Sequence, residues 1–352
     1  MENLLAQIVE PLSNWYISHK RTLPWREKEE PYHVWLSEIM LQQTRVEAVK
    51  KYYNRFIEVL PTIDDLARIE EEKLLKLWEG LGYYNRARNL KKAAQIIVEA
   101  YAGKMPTTYA QLCQLPGIGE YTAGAIASIC FGEKVPAVDG NVLRVVARVT
   151  GSFQDVLLPE TKKEVSKTLR KIMPDEPGVF NEALMELGEV ICLPNTNPLC
   201  ERCPLQSQCI AYQKDLTQQL PVRIKKQKRT IEEKTVFLLC YENQIAIQKR
   251  EEKGLLANLY GFPNIEGKII EEEISKVLEN WGIQLETLQQ KQNYKHIFTH
   301  RQWDMIGYLV TVKNKNIDFL WVEREELEKS YAIPTAFKTF EKMLGDIYEY
   351  SK

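Results

Sequence analysis

Leu115-Pro116-Gly117-Ile118-Gly119-Glu120-Tyr121-Thr122-Ala123-Gly124-Ala125 is the stretch whose reading decides the fold. Two glycines flank one apolar residue and run straight into a series of small residues, the pattern of a helix–hairpin–helix. Gly117 and Gly119 permit tight backbone geometry, and their N–H groups at a helix start form a cradle for a DNA phosphate. Such a contact fixes register without reading sequence. A lone Gly-x-Gly is a weak signal; the full Leu-Pro-Gly-x-Gly ahead of a helix is much stronger.

Around the hairpin the texture is helical almost throughout, from Leu4 to about Asp215. Residues 34–60, 71–78, 89–101 and 162–172 repeat apolar side chains every three or four positions. Punctuators at Pro61, Pro106, Pro116 and Pro174 separate them. Past Glu232 the texture changes. Thr235-Val-Phe-Leu-Leu-Cys-Tyr241, Gln244-Ile-Ala-Ile-Gln248 and Met305-Ile-Gly-Tyr-Leu-Val-Thr-Val312 read as strands, with a helix near residues 271–281. The expected organisation is an all-α helix–hairpin–helix domain over residues 1–215, a basic linker over 216–231 and a mixed α/β domain over 232–352. Five of the seven residues from Arg223 to Arg229 are basic, which suits a solvated tether or a phosphate-contacting strap.

The chain of 352 residues has 44% hydrophobic and 27% charged residues, an ordinary globular balance that excludes a disordered chain or a coiled-coil rod. No apolar run is long enough for a membrane span, and the N-terminus, with Glu2 and Glu10, lacks a leader pattern. A cytoplasmic protein is expected. The 47 basic and 48 acidic residues leave the partner open.

Three chemical groups stand out. Asp139, in Val138-Asp139-Gly140-Asn141-Val142, precedes a helical run, where an aspartate ordinarily caps. Behind a helix–hairpin–helix it is also a candidate catalytic carboxylate. Glu38 lies in the unusually apolar Trp35-Leu36-Ser37-Glu38-Ile39-Met40-Leu41, where burial would raise its pKa and suit it to general acid work. Four of seven cysteines, Cys192, Cys200, Cys203 and Cys209, crowd into 18 residues, a metal-site pattern compatible with a [4Fe–4S] cluster or zinc.

Together these motifs resemble the helix–hairpin–helix DNA glycosylases, and within them the adenine DNA glycosylases of the MutY type. Ser37-Glu38-Ile39-Met40-Leu41-Gln42-Gln43-Thr44 and Leu81-Gly82-Tyr83-Tyr84-Asn85-Arg86-Ala87-Arg88 look like signatures of that subfamily, and the resemblance covers essentially the whole chain. It implies that Glu38 protonates adenine at N7 and that Asp139, oriented by Asn141, stabilises an oxocarbenium-like sugar or bonds to it transiently. Tyr121 stands where bifunctional relatives carry a lysine, so no Schiff base forms and the enzyme is monofunctional. The resemblance places Arg26, Glu182 and the apolar wall Trp25 around a flipped adenine. Gln43, Thr44, Leu81 and Tyr83 match the loops that wedge into the base stack.

The cysteine spacing carries one residue more in its first gap than the family's [4Fe–4S] pattern, an insertion a loop absorbs. The C-terminal domain resembles a Nudix-like domain, but Ser275, Lys276 and Asn280 stand where the hydrolases want arginine and two glutamates, so hydrolysis is not expected. His296-Ile297-Phe298-Thr299-His300 looks like the loop that detects 8-oxoguanine, with Thr299 where serine is more common. The partner implied is duplex DNA bearing 8-oxoguanine:A or G:A mispairs, bound by a monomer. Two alternatives are a glycosylase/lyase for oxidised pyrimidines and a catalytically silent Fe–S lesion binder.

Overall fold

The computed structural model describes residues 1–28, 30–194, 197–224 and 229–345, so the central lysines of the basic run, residues 225–228, lie outside the described residues. The chain divides into two compact units. One comprises Met1–Ile69 and Arg88–Lys225, the other Glu70–Ala87 and Lys226–Lys352. None of the described helices is long and apolar enough to cross a membrane.

The first unit is helical. Pro31, Pro159 and Pro177 each open a helix at a position where a missing N–H costs nothing. Thr62 and Asp65 form a reciprocal capping box at Ile63–Arg68. The helices Gly140–Thr150 and Pro177–Val190 bury Val142, Val146, Phe180, Leu184 and Leu187 against Leu12 and Tyr16 of Val9–His19. Each such side chain contributes about 1.5–3 kcal/mol by leaving water. The expected continuous helical pattern of residues 34–60 is broken: Pro31–Leu41 ends and Val46–Val59 begins around Gln43, whose φ is +60°. Apolar periodicity carries through such a kink and does not reveal it.

The second unit is built on a mixed seven-stranded sheet, ordered β3-β2-β1-β6-β5, with β4 on β1 and β7 on β2. The strands are β1 (Thr230–Tyr241), β2 (Gln244–Lys249), β3 (Tyr260–Gly261), β4 (Asn264–Glu266), β5 (Leu285–Ile297), β6 (Arg301–Val312) and β7 (Leu320–Glu323). β1 and β6 run parallel; the other pairs are antiparallel. Both faces of the sheet are covered, as its alternation shows. Val236 and Leu238 enter a core with Trp303, Phe337 and Phe340, while Phe237 and Leu239 enter another with Ile274, Leu278 and Tyr308. The strand β5 has no counterpart in the sequence reading. It is an edge strand of mostly exposed glutamines and lysines, without the apolar alternation that marks a strand in sequence.

The segment Glu70–Ala87 is tied into this unit by its own side chains. Glu72 pairs with Lys249 at 2.8 Å and accepts from Tyr260 Oη at 3.2 Å, Lys76 donates to the Tyr331 carbonyl at 2.8 Å, and Glu79 pairs with Lys338 at 3.1 Å.

Candidate active site

Within the helical unit a cavity of about 490 Å³ gathers most of the polar residues singled out in sequence. Trp25, Arg26, Glu38, Gln43, Thr44, Tyr121, Asp139, Asn141 and Glu182 all line it. The helix Pro31–Leu41 buries every residue from Val34 to Met40, so Glu38 enters the cavity from an apolar wall. Its carboxylate accepts a 2.6 Å hydrogen bond from Tyr121 Oη. Burial pushes the Glu38 pKa up to about 7, with the charges of Asp139 and Glu182 adding to the rise and the Tyr121 hydrogen bond opposing it. Burial likewise holds the Tyr121 phenol protonated, well above its usual range. A carboxyl that is half protonated near neutrality and faces a cavity is equipped to give up a proton there.

Asp139 is both the helix cap and the cavity carboxylate. Its Oδ1 accepts from Val142 N at 2.8 Å and its Oδ2 from Asn141 Nδ2 at 3.0 Å. Burial raises its pKa, while these donors and Arg144 pull it back toward the charged form. Arg144 reaches Asn141 Oδ1 at 2.8 Å, the Gly188 carbonyl at 2.7 Å and the Cys192 carbonyl at 2.7 Å, so it fixes the residue that orients Asp139.

Sequence reasoning missed a second layer of charge. Arg26 donates to Glu182 at 3.2 Å and to Glu186 at 3.0 Å, and Arg21 donates to Glu186 at 2.6 Å. Burial alone would raise the Glu186 pKa, but the two guanidiniums hold it below the usual carboxylate range. Glu186 follows Glu182 by four positions, a helical spacing that could have signalled it. No lysine lines this cavity among the described residues; Lys134 instead pairs with the exposed Asp175 at 2.7 Å.

Other residues fall elsewhere. Gly117 and Gly119 form the hairpin ahead of the helix Glu120–Phe131, Gly117 at φ +79° and Gly119 with open space on its Cα. Cys192, Cys200, Cys203 and Cys209 line one small cavity, with Arg148 donating to Cys192 Sγ at 3.2 Å. Among the described residues no three histidine, cysteine or carboxylate side chains form a group able to hold a metal ion.

Tyr83 and Leu81 lie in the sheet unit with the turn at residues 298–300. Leu81 is 5% exposed, whereas Tyr83 is 49% exposed at φ +48°. Tyr83 Oη and Thr299 Oγ1 are 2.9 Å apart, a hydrogen bond joining the two loops. His296 sits on β5, its ring 4.5 Å edge-on to Phe298, which in turn meets Trp303 at 4.8 Å; Thr299 and His300 are exposed.

A glycine hairpin beside a helical cavity with two buried carboxylates, followed by a Nudix-like sheet, defines a helix–hairpin–helix base-excision class with a second domain. Residues 36–175 match the HhH-GPD superfamily of base excision DNA repair proteins, and residues 235–342 match the NUDIX domain. The helical part is similar to a thermostable thymine-DNA glycosylase (28% identity, TM-score 0.53, 59% of this chain and 95% of that one). It is also similar to endonuclease III in a trapped covalent complex with DNA (26%, TM-score 0.53, 61% and 99%). The adenine DNA glycosylase of Buchnera aphidicola subsp. Schizaphis graminum is 38% identical over 303 residues, covering 85% of this chain and 86% of its own. The chain belongs to the adenine DNA glycosylase family.

Proposed function

We propose that this chain binds duplex DNA as a cytoplasmic monomer and hydrolyses the N-glycosidic bond of adenine opposite 8-oxoguanine, and more weakly opposite guanine. The observation that carries this reading is the buried Glu38, lifted to about 7 and hydrogen-bonded to Tyr121, on the same cavity as Asp139. Chemistry on a base requires extruding it from the stack. In the cavity Trp25 walls the base and the Arg26–Glu182 pair offers it hydrogen bonds. Glu38 delivers its proton to N7, the bond to C1′ breaks with its electrons on the base, and Asp139 stabilises the oxocarbenium-like sugar by charge or a transient bond. Water then adds at C1′ and loses a proton, leaving an abasic site. Two carboxyls with opposite protonation states are what glycosidic cleavage uses. Without a lysine amine on the cavity, no Schiff base leads on to strand cleavage.

The glycines of the hairpin hold a backbone phosphate. Gln43, Thr44 and Tyr83 enter the stack, and His296, Phe298, Thr299 and His300 read the oxidised guanine. Cys192, Cys200, Cys203 and Cys209 hold a [4Fe–4S] cluster. The reading is supported by the four thiols sharing one cavity. When bound, it shapes residues 192–209, and no step of the hydrolysis needs its redox chemistry. Cys203→Ser should lower the iron content and visible absorbance of the purified protein; full iron retention would remove this assignment.

The reading is tested by Glu38→Gln. The variant should keep duplex affinity and lose single-turnover base release. An unchanged rate would show that Glu38 is not the acid.

A further inference from the structure

A third cavity, of about 370 Å³, lies wholly within the sheet unit, where the start of β1, the end of β2 and the start of β6 meet. We propose that it is a binding site for a phosphate-bearing ligand, held by Arg250 and Lys253.

The charges around it are unevenly matched. Lys234, only 4% exposed, pairs with Glu266, and Arg301 pairs with Glu232 at 2.7 Å. Lys249 is taken by Glu72 at 2.8 Å, from outside the cavity. Among the described residues Arg250 and Lys253 have no carboxylate partner, and the one lining acid left over is Glu251. With Lys249 neutralised by Glu72, the lining keeps an excess of one positive charge.

Arg250 is also pre-set in one orientation. Its Nε donates to the Leu255 carbonyl at 3.3 Å and its guanidinium lies 5.5 Å from the centre of the Trp303 ring. Trp303 is itself fixed by a 2.8 Å bond to Glu232. Among the described residues the two terminal amino groups of Arg250 meet no protein acceptor, although burial disfavours the charge and the fields of Glu251 and Glu266 only partly offset that. A planar fork of donors, stacked and unanswered beside a lysine, matches the bidentate geometry of a phosphate group. The net positive charge of the lining suits an anionic group. The site would bind without hydrolysing, since the helix Ile274–Asn280 presents Ser275, Lys276 and Asn280 in place of a row of metal-binding carboxylates.

The phosphate has two chemical sources: a free nucleotide, or the backbone of bound DNA. Equilibrium dialysis of the full-length protein against labelled pyrophosphate and labelled dGTP, with a salt series of duplex affinity, separates them. Arg250→Gln and the exposed Lys253→Gln are measured alongside, the second guarding against a folding defect in the first. One bound pyrophosphate or dGTP per chain, weakened about tenfold or more in both variants, assigns a free nucleotide. No small-anion binding, but a salt slope of duplex affinity shallower by about 0.9 in each variant, assigns a DNA phosphate. Small-anion binding that both variants leave intact overturns the proposal. So does the absence of anion binding together with an unchanged slope.

Discussion

Burial sets the Glu38 pKa at about 7, where the proposed proton donation needs it, and two pH dependences follow. As a proton donor with a pKa of about 7, it should give a single-turnover rate that is level below that value and falls about tenfold per pH unit above it. Stability moves the same way. The folded pKa lies above the ordinary 4.5, so the unfolded chain ionises first and burial costs nothing while the group is protonated in both states. As pH rises from 4.5 through about 7 the folded state loses roughly 3 kcal/mol at this one position. Glu38→Gln should therefore stabilise the protein by about that much more near pH 8 than near pH 4, in denaturant melts at the two values. A pH-independent difference would deny Glu38 its buried, shifted state. Asp139 separates cap from catalyst: Asp139→Asn keeps an acceptor for Val142 N and should abolish excision at nearly unchanged stability. Asp139→Ala should lose about 1 kcal/mol as well.

At the scale of elements, two close approaches set the geometry. A Cβ on Gly117 would stand 2.7 Å from Asn89 Cβ, at a positive φ that side chains avoid. Gly117→Ala should distort the hairpin and weaken duplex affinity several-fold, read by titration at constant salt. On the helix Pro177–Val190, a Cβ at Gly188 would come within 2.6 Å of Asn141 Cβ. Gly188→Ala should displace Asn141 from Asp139, slowing base release more than it weakens binding, at a stability cost of about 1–3 kcal/mol. The hairpin, Glu38, Asp139 and the sheet class were legible because each is a local pattern: glycine spacing, a carboxylate in an apolar run, a cap before a helix, alternation of period two. The break at Gln43 was hidden because periodicity survives a kink. The strand β5 was hidden because its alternating half-buried positions, Gln292, Tyr294 and His296, are mostly polar and leave no apolar alternation in the sequence. Arg21 and Arg144 act through partners far along the chain, which no local pattern records.

On the scale of the molecule, residues 70–87 cluster with the C-terminal sheet although residues 88–225 separate them in sequence. In that unit Tyr83, the proposed wedge, and Thr299, in the proposed lesion-reading turn, are joined by a hydrogen bond. Thr299→Val, which removes the hydroxyl at similar volume, should narrow the preference for 8-oxoguanine over guanine while leaving Glu38 and Asp139 untouched; Thr299→Ser should preserve it. Equal preference in all three proteins would separate the turn from lesion reading. The central claim, a monofunctional adenine glycosylase that senses 8-oxoguanine, is tested most directly by single-turnover base release from three end-labelled duplexes. They bear adenine opposite 8-oxoguanine, adenine opposite guanine, and an oxidised pyrimidine, each read with and without alkali. The account predicts alkali-dependent cleavage at adenine, fastest opposite 8-oxoguanine. Cleavage at the oxidised pyrimidine without alkali, or no release from any duplex that the protein binds, would contradict it.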